Sequence, residues 1–201
     1  MSQVALSSNA SGTGTFTIAS PNSNTDRTLT LPDATGTVAL NGTTITSGTA
    51  VASTSGTSID FTSIPSWVKR ITVMFQGVST NGTSVLIVQL GDSGGIETSG
   101  YLAKGGFTQD AGASGVTAFT TGFGISAQNN AGSIYHGHVV LTSFGSGNTW
   151  VASGVLGRSD AVVLLSLGGS KSLSDTLTQV RITTVNGTDT FDAGTINILY
   201  E

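Results

Sequence analysis

The chain has 201 residues, a formal net charge of −4, no cysteine, and charged residues at only 9% of the total, against about 25% in ordinary soluble domains. The missing cysteines exclude a disulfide frame and a zinc ribbon, and the scattered carboxylates argue against a nucleic-acid groove. No window approaches the roughly 18 apolar residues of a membrane span, and MSQVALSSNAS lacks the basic and apolar regions of a secretory signal, so cytoplasmic synthesis without membrane insertion is expected.

Residues 1–55 read as an arm. They contain one Phe, Phe16, and no Trp or Tyr, too little apolar bulk for a core. Three short β-like runs are predicted in it, Thr15–Ala19, Arg27–Leu31 and Thr37–Leu40, divided by Pro21–Asn24 and Pro32–Gly36 and closed by Asn41-Gly42. Three such strands are marginal alone, so copies of the chain or another protein are expected to order them.

Residues 56–201 read as a globular head. After Pro65, Ile71, Val73 and Phe75 alternate with Thr72, Met74 and Gln76, the period of a half-buried strand. Asn81-Gly82 then predicts a type I′ hairpin into Ser84–Leu90, an apolar run expected to be covered on both faces. Gly91–Gly115 reads as a glycine-rich loop around Tyr101 and Phe107. Further strands are predicted at Val116–Thr121, Ser133–Ser143, Thr149–Ser153, Ala161–Leu167, Gln179–Val185 and Thr195–Tyr200, with Asn186-Gly187 forming a last hairpin. Gly, Ser and Thr exceed two fifths of the chain, and threonine both forms strands and hydrates them without charge. The pattern predicts an all-β protein, a jelly-roll-like antiparallel β-sandwich.

Gly91-Asp92-Ser93-Gly94-Gly95 matches the nucleophile motif of chymotrypsin-like proteases. A triad needs a histidine base, which precedes the serine in that family, yet the two histidines, His136 and His138, follow Ser93. A tight turn is the expected role. The same two imidazoles, two apart on a strand, point to one face and are candidate metal ligands, although one chain supplies too few for a site. Neither metal nor cofactor is expected. The Asn-Gly-Thr triplets at 41–43, 81–83 and 186–188 read as turns rather than glycosylation acceptors. Asp175, Asp189 and Asp192 match no calcium loop, and no carboxylate pair is placed by sequence for glycosidase work. Trp67, Tyr101 and Phe107 are candidate receptor contacts, whereas Trp150, in an apolar run, is expected in the core.

The run GTFTIASPNSNTDRTLTLPDATGTVAL resembles the LPDATGT-containing segment of bacteriophage tail-fibre and related virion appendage proteins. SIPSWVKRITVMFQGVSTNGTS, GDSGGIETSGY and VNGTDTFDAGTINILYE resemble the globular tip that follows such a segment. Some phage fibres hold metal on a His-x-His pair near their axis, which places His136 and His138 in that context. The resemblance implies a homotrimeric, non-enzymatic virion structural protein. Its arm would bind other virion proteins, and its head loops, Gly91–Gly115 and Phe144–Asn148, would attach to a host-surface glycan or protein. A capsid decoration protein anchored through the same arm is the alternative.

Overall fold

The structure, a computed structural model, describes residues 45–145 and 147–201, together with 11–15, 17, 24–26 and 28. The three strand runs and the Asn41-Gly42 turn expected in the arm lie almost wholly outside these residues. The chain divides into two compact units, Met1–Val38 and Ala39–Glu201. The head therefore begins earlier than residue 56. Its first short strands, β1 (Thr46–Ser47) and β2 (Val51–Ala52), both pair with the last strand, so these residues belong to the head sheet rather than the arm.

The second unit is all-β, with antiparallel sheets and, among the described residues, no α-helix. Its other strands are β3 (Ser58–Phe61), β4 (Arg70–Thr80), β5 (Leu86–Asp92), β6 (Gly95–Ile96), β7 (Leu102–Gln109), β8 (Ser114–Phe119) and β9 (Phe123–Gly124). Then come β10 (Tyr135–Ser143), β11 (Thr149–Arg158), β12 (Val163–Ser172), β13 (Gln179–Thr184) and β14 (Phe191–Tyr200). The larger sheet has the order β1-β14-β4-β10-β11-β12-β7-β8, with β2 also on β14, and the smaller β3-β13-β5-β6, with β9 also on β5. β10, β11 and β12 are neighbours in sequence and in space and form a meander.

One apolar cluster fills the space between the sheets. On β4, Ile71, Val73 and Phe75 are buried while Gln76 is exposed, as the alternation predicts. Each such side chain contributes roughly 1.5–3 kcal/mol of burial. All seven residues of β5 are buried: on its second face Gln89 Nε2 donates to Thr121 O at 2.8 Å and Gly122 lies against the Ile87 and Gln89 side chains, while Phe123-Gly124 pair along its edge with Val88 and Ile87.

Two expected hairpins are corners instead. β4 and β5 do not pair; β4 lies in the larger sheet and β5 in the smaller. The Asn81-Gly82 turn thus carries the chain between sheets, and neither residue has a positive φ. Gly82 is needed for space: a Cβ there would collide with the Asp189 carboxylate. Asn186-Gly187 likewise joins β13 to β14 across the sandwich. Gly187, at φ +68°, donates its N–H to Thr184 O at 3.0 Å, the left-handed geometry that glycine takes without strain. Gly91–Gly115 is no loop either: β6 and β7 occupy much of it, because Ala103, Gly105 and Phe107 alternate toward the core.

Candidate functional site

The two corners meet at one end of the sandwich and close it. Asn81 Oδ1 accepts from Thr190 N at 2.9 Å, and Asn81 N donates to Thr190 O at 2.9 Å. Asp189 accepts from Ser84 N at 2.8 Å and from Asn186 Nδ2 at 2.6 Å. Beneath them, the buried Asn129 amide donates to Gly82 O at 3.3 Å and Ser84 O at 3.0 Å, and its carbonyl accepts the Tyr135 hydroxyl. These bonds serve backbone groups that a sheet-to-sheet crossing takes off the ladders.

The opposite end is built differently. β4 starts there, and the backbone N–H groups of Lys69 and Arg70 donate to Glu201 O at 2.7 and 2.8 Å. Trp67, 39% exposed, leans on Tyr200 with ring centroids 5.9 Å apart. The β10–β11 turn projects Phe144, 71% exposed. Between these segments lies a cleft of about 100 Å³ lined in part by Ser66, Ser143, Asn148 and Thr176, with Trp150 and Leu177 at its base. Trp67 and Phe144 do not line the cleft themselves but follow the lining residues Ser66 and Ser143 in sequence.

A charged network stiffens this end. Lys171 is buried, and its ammonium contacts Glu97 Oε2, donates to Ser172 O at 2.8 Å and lies 5.5 Å from the Tyr101 ring centre. A buried cation requires such partners. Glu97 Oε1 accepts from Ser174 N at 2.7 Å, and Asp92 Oδ2 accepts from Ser174 Oγ at 2.6 Å. The Ser174 hydroxyl is the main reason the Asp92 carboxyl lies below its usual value, helped by Gly94 N. Desolvation pushes Glu97 up, but Lys171 and the Ser174 N–H outweigh it and the net shift is downward.

The expected site residues fare unequally. Tyr101 is 1% exposed; its hydroxyl accepts from Leu90 N at 2.7 Å and donates to Glu97 O at 3.0 Å. It is a core residue, not a receptor contact, and burial drives its hydroxyl pKa well upward. Phe107 is half-buried and packs against the core from β7. Of the three receptor candidates, Trp67 alone offers an open face. Trp150 is buried, as expected.

Ser93 is exposed in the β5–β6 turn, and the motif's aspartate builds that turn, Asp92 Oδ1 accepting from Gly94 N at 2.8 Å. No histidine approaches it. His136 lies on the outward face of the larger sheet, where its Nδ1 accepts from Gly77 N at 3.2 Å and its Nε2 is 3.2 Å from Ser159 Oγ. Both ring nitrogens are thus engaged, and His138 is two residues along the same face. Among the described residues, no cluster of three or more metal-ligating side chains occurs.

Phe144 and the Lys171–Glu97 pair escaped the sequence reading as individual residues. Phe144 had a signal, an aromatic beside Gly145 in a predicted tip. The ion pair had none, since 74 residues separate its members. Comparison of the chain with protein-family models, curated proteins and solved structures gave no match.

Proposed function

We propose that this chain is a non-enzymatic, homotrimeric appendage of a bacteriophage virion that attaches the particle to a host-surface glycan or protein. Its arm joins it to other virion proteins, and the Trp67–Phe144 end of the head makes the host contact. The resemblance of the LPDATGT segment supplies the virion setting. The observation that carries the contact is that exposed Trp67 and Phe144 each adjoin in sequence a residue, Ser66 and Ser143, that lines a cleft of serine, threonine and asparagine groups. Sugar rings present apolar C–H faces that stack on aromatic side chains, and equatorial hydroxyls that such groups hydrogen-bond. Loops on a rigid sandwich are where recognition residues concentrate.

The test is binding of the full chain to a panel of bacterial surface polysaccharides and whole cells, beside the double variant Trp67→Ala, Phe144→Ser. The wild type should retain on at least one surface, and the variant should lose at least about tenfold in affinity, roughly 1.4 kcal/mol or more, while still folded. Equal binding by both proteins would move the contact elsewhere. Binding to empty capsids but to no host surface would favour the decoration reading. Release of sugar fragments from a bound polysaccharide would overturn the non-enzymatic one.

A further inference from the structure

The two Asn-Gly corners hold a reactive dipeptide that the proposed function does not use. A backbone N–H that follows asparagine can close on the side-chain amide carbon, and glycine, having no Cβ, leaves that approach open. The amide nitrogen departs as ammonia, and water then opens the cyclic imide. Asn81 and Asn186 are both exposed, so access of water does not distinguish them. The hydrogen bonds around the reacting groups do.

At Asn186 every reacting group is occupied. Gly187 N, the nucleophile, donates to Thr184 O at 3.0 Å, and an N–H held by a carbonyl is slow to lose its proton. Asn186 Oδ1 accepts from Thr184 Oγ1 at 2.7 Å, Thr188 N at 3.0 Å and Asp189 N at 3.3 Å. Nδ2, the group that must leave, donates to the Asp189 carboxylate at 2.6 Å. The side chain cannot turn onto Gly187 N without giving these bonds up.

At Asn81 the same groups are open. Among the described residues, neither Gly82 N nor Asn81 Nδ2 has a hydrogen-bond partner; Oδ1 alone is held, accepting from Thr190 N at 2.9 Å. That bond falls on the oxygen that gains negative charge as the ring closes, so it does not oppose the reaction.

We infer that Asn81 is a spontaneous deamidation site of the folded head and that Asn186, in the same dipeptide, is protected. Gly82 N gives its proton to hydroxide and bonds to Asn81 Cγ; the Cγ–Nδ2 bond breaks, and Nδ2 leaves as ammonia with a proton from solvent. Water opens the imide at either carbonyl, leaving an aspartyl or an isoaspartyl linkage, and nothing is oxidised or reduced. The new negative charge arises beside Asp189, whose carboxylate occupies the space a Gly82 Cβ would take, and like charges repel. An isoaspartyl linkage also adds a carbon to the main chain where it crosses between sheets. The modification therefore loosens the closed end of the sandwich and leaves the Trp67–Phe144 end as it was.

The experiment incubates the full chain in mildly alkaline buffer, folded and in urea, and follows each site by peptide mapping in a mass spectrometer, with isoaspartate scored separately. In urea the two sites should react alike. In the folded chain Asn81 should react at least about tenfold faster than Asn186, with both aspartyl and isoaspartyl products. A smaller ratio in the folded chain, or no reaction at Asn81, would overturn the assignment. Aspartyl product without isoaspartate would overturn the ring route. Asn81→Asp carries the charge of the aspartyl product and should unfold at a lower urea concentration than wild type. An unchanged midpoint would overturn the loosening of the closed end.

Discussion

The two ends of the sandwich solve the same problem with different chemistry. Where β4 runs out, the Asn81 and Asn186 corners are tied to each other and to Asn129 by amides, hydroxyls and one carboxylate, Asp189. Where β4 begins, Asp92, Glu97 and Lys171 form an ionic clamp, and Trp67 and Phe144 stay exposed above it. The difference teaches where stability and recognition reside. A side chain that satisfies buried backbone cannot also face a partner, so the closed end spends its polar groups on itself. The open end keeps its aromatics outside a network that holds the loops beneath them.

Substitutions should separate the ends. The largest effect is expected from Gly82→Val at the closed end. Any Cβ there displaces the Asp189 carboxylate, freeing Ser84 N and Asn186 Nδ2 from their acceptor, and the loss should be about 3 kcal/mol or more. Chemical denaturation reads it directly; an unchanged midpoint would mean that the corner rearranges at little cost. Asn129→Ala comes next. It orphans the Tyr135 hydroxyl and two carbonyls at once, for an expected 1–3 kcal/mol, roughly one unsatisfied buried group.

Acid should find the open end. The folded-state pKa values of Asp92 and Glu97 lie below their ordinary 3.8 and 4.5. Their contribution is therefore complete above those values and disappears as the pH falls through the lower, folded ones. Asp160, held down chiefly by Arg158, loses its contribution in the same direction but lies at the closed end, where it accepts from Ile134 N at 2.8 Å. Ser174→Ala removes the main cause of the Asp92 shift, so its acid-unfolding midpoint should lie at higher pH than the wild type's. Coincident acid titrations would show that the clamp adds nothing. The smallest effect is expected from Ser93→Ala, within about 0.5 kcal/mol, because the exposed hydroxyl has no structural duty. A melting temperature several degrees lower would contradict that.

The strands were legible in the sequence where period and burial agree. The alternation of β4, the apolar run of β5 and the runs of β10 to β14 all appear as strands, because two-residue periodicity follows directly from which side faces the core. Connectivity was harder. Asn81-Gly82 has the residues of a hairpin turn, and a turn between sheets uses the same residues, so local sequence could not separate pairing from crossing. β7 was hidden by Gly105 and Gly106. Gly105 faces the core and has no room for a side chain, because a Cβ would strike Gly124 O; its glycine signals close packing rather than a loop. At the open end, Trp67 was legible as an aromatic beside a proline turn. Tyr101 looked equally available until the segment around it proved to be strand and the hydroxyl proved committed to Leu90 and Glu97.

The position of β14 bears on how the molecule comes to be assembled in time. This strand lies between β4 on one side and β1 and β2 on the other, with Tyr200 opposite both Ile71 and Thr46. During synthesis, β4 is complete long before its neighbour exists. One side of β4, with the apolar Ile71, Val73 and Phe75, must wait for nearly the whole head to leave the ribosome. Such remote pairing makes for slow folding, on the millisecond-to-second scale of β-rich domains, and prolongs the interval in which an open strand edge can recruit the wrong chain. Refolding should show the larger sheet forming late, and a nascent chain halted before residue 191 should be sensitive to protease across β4.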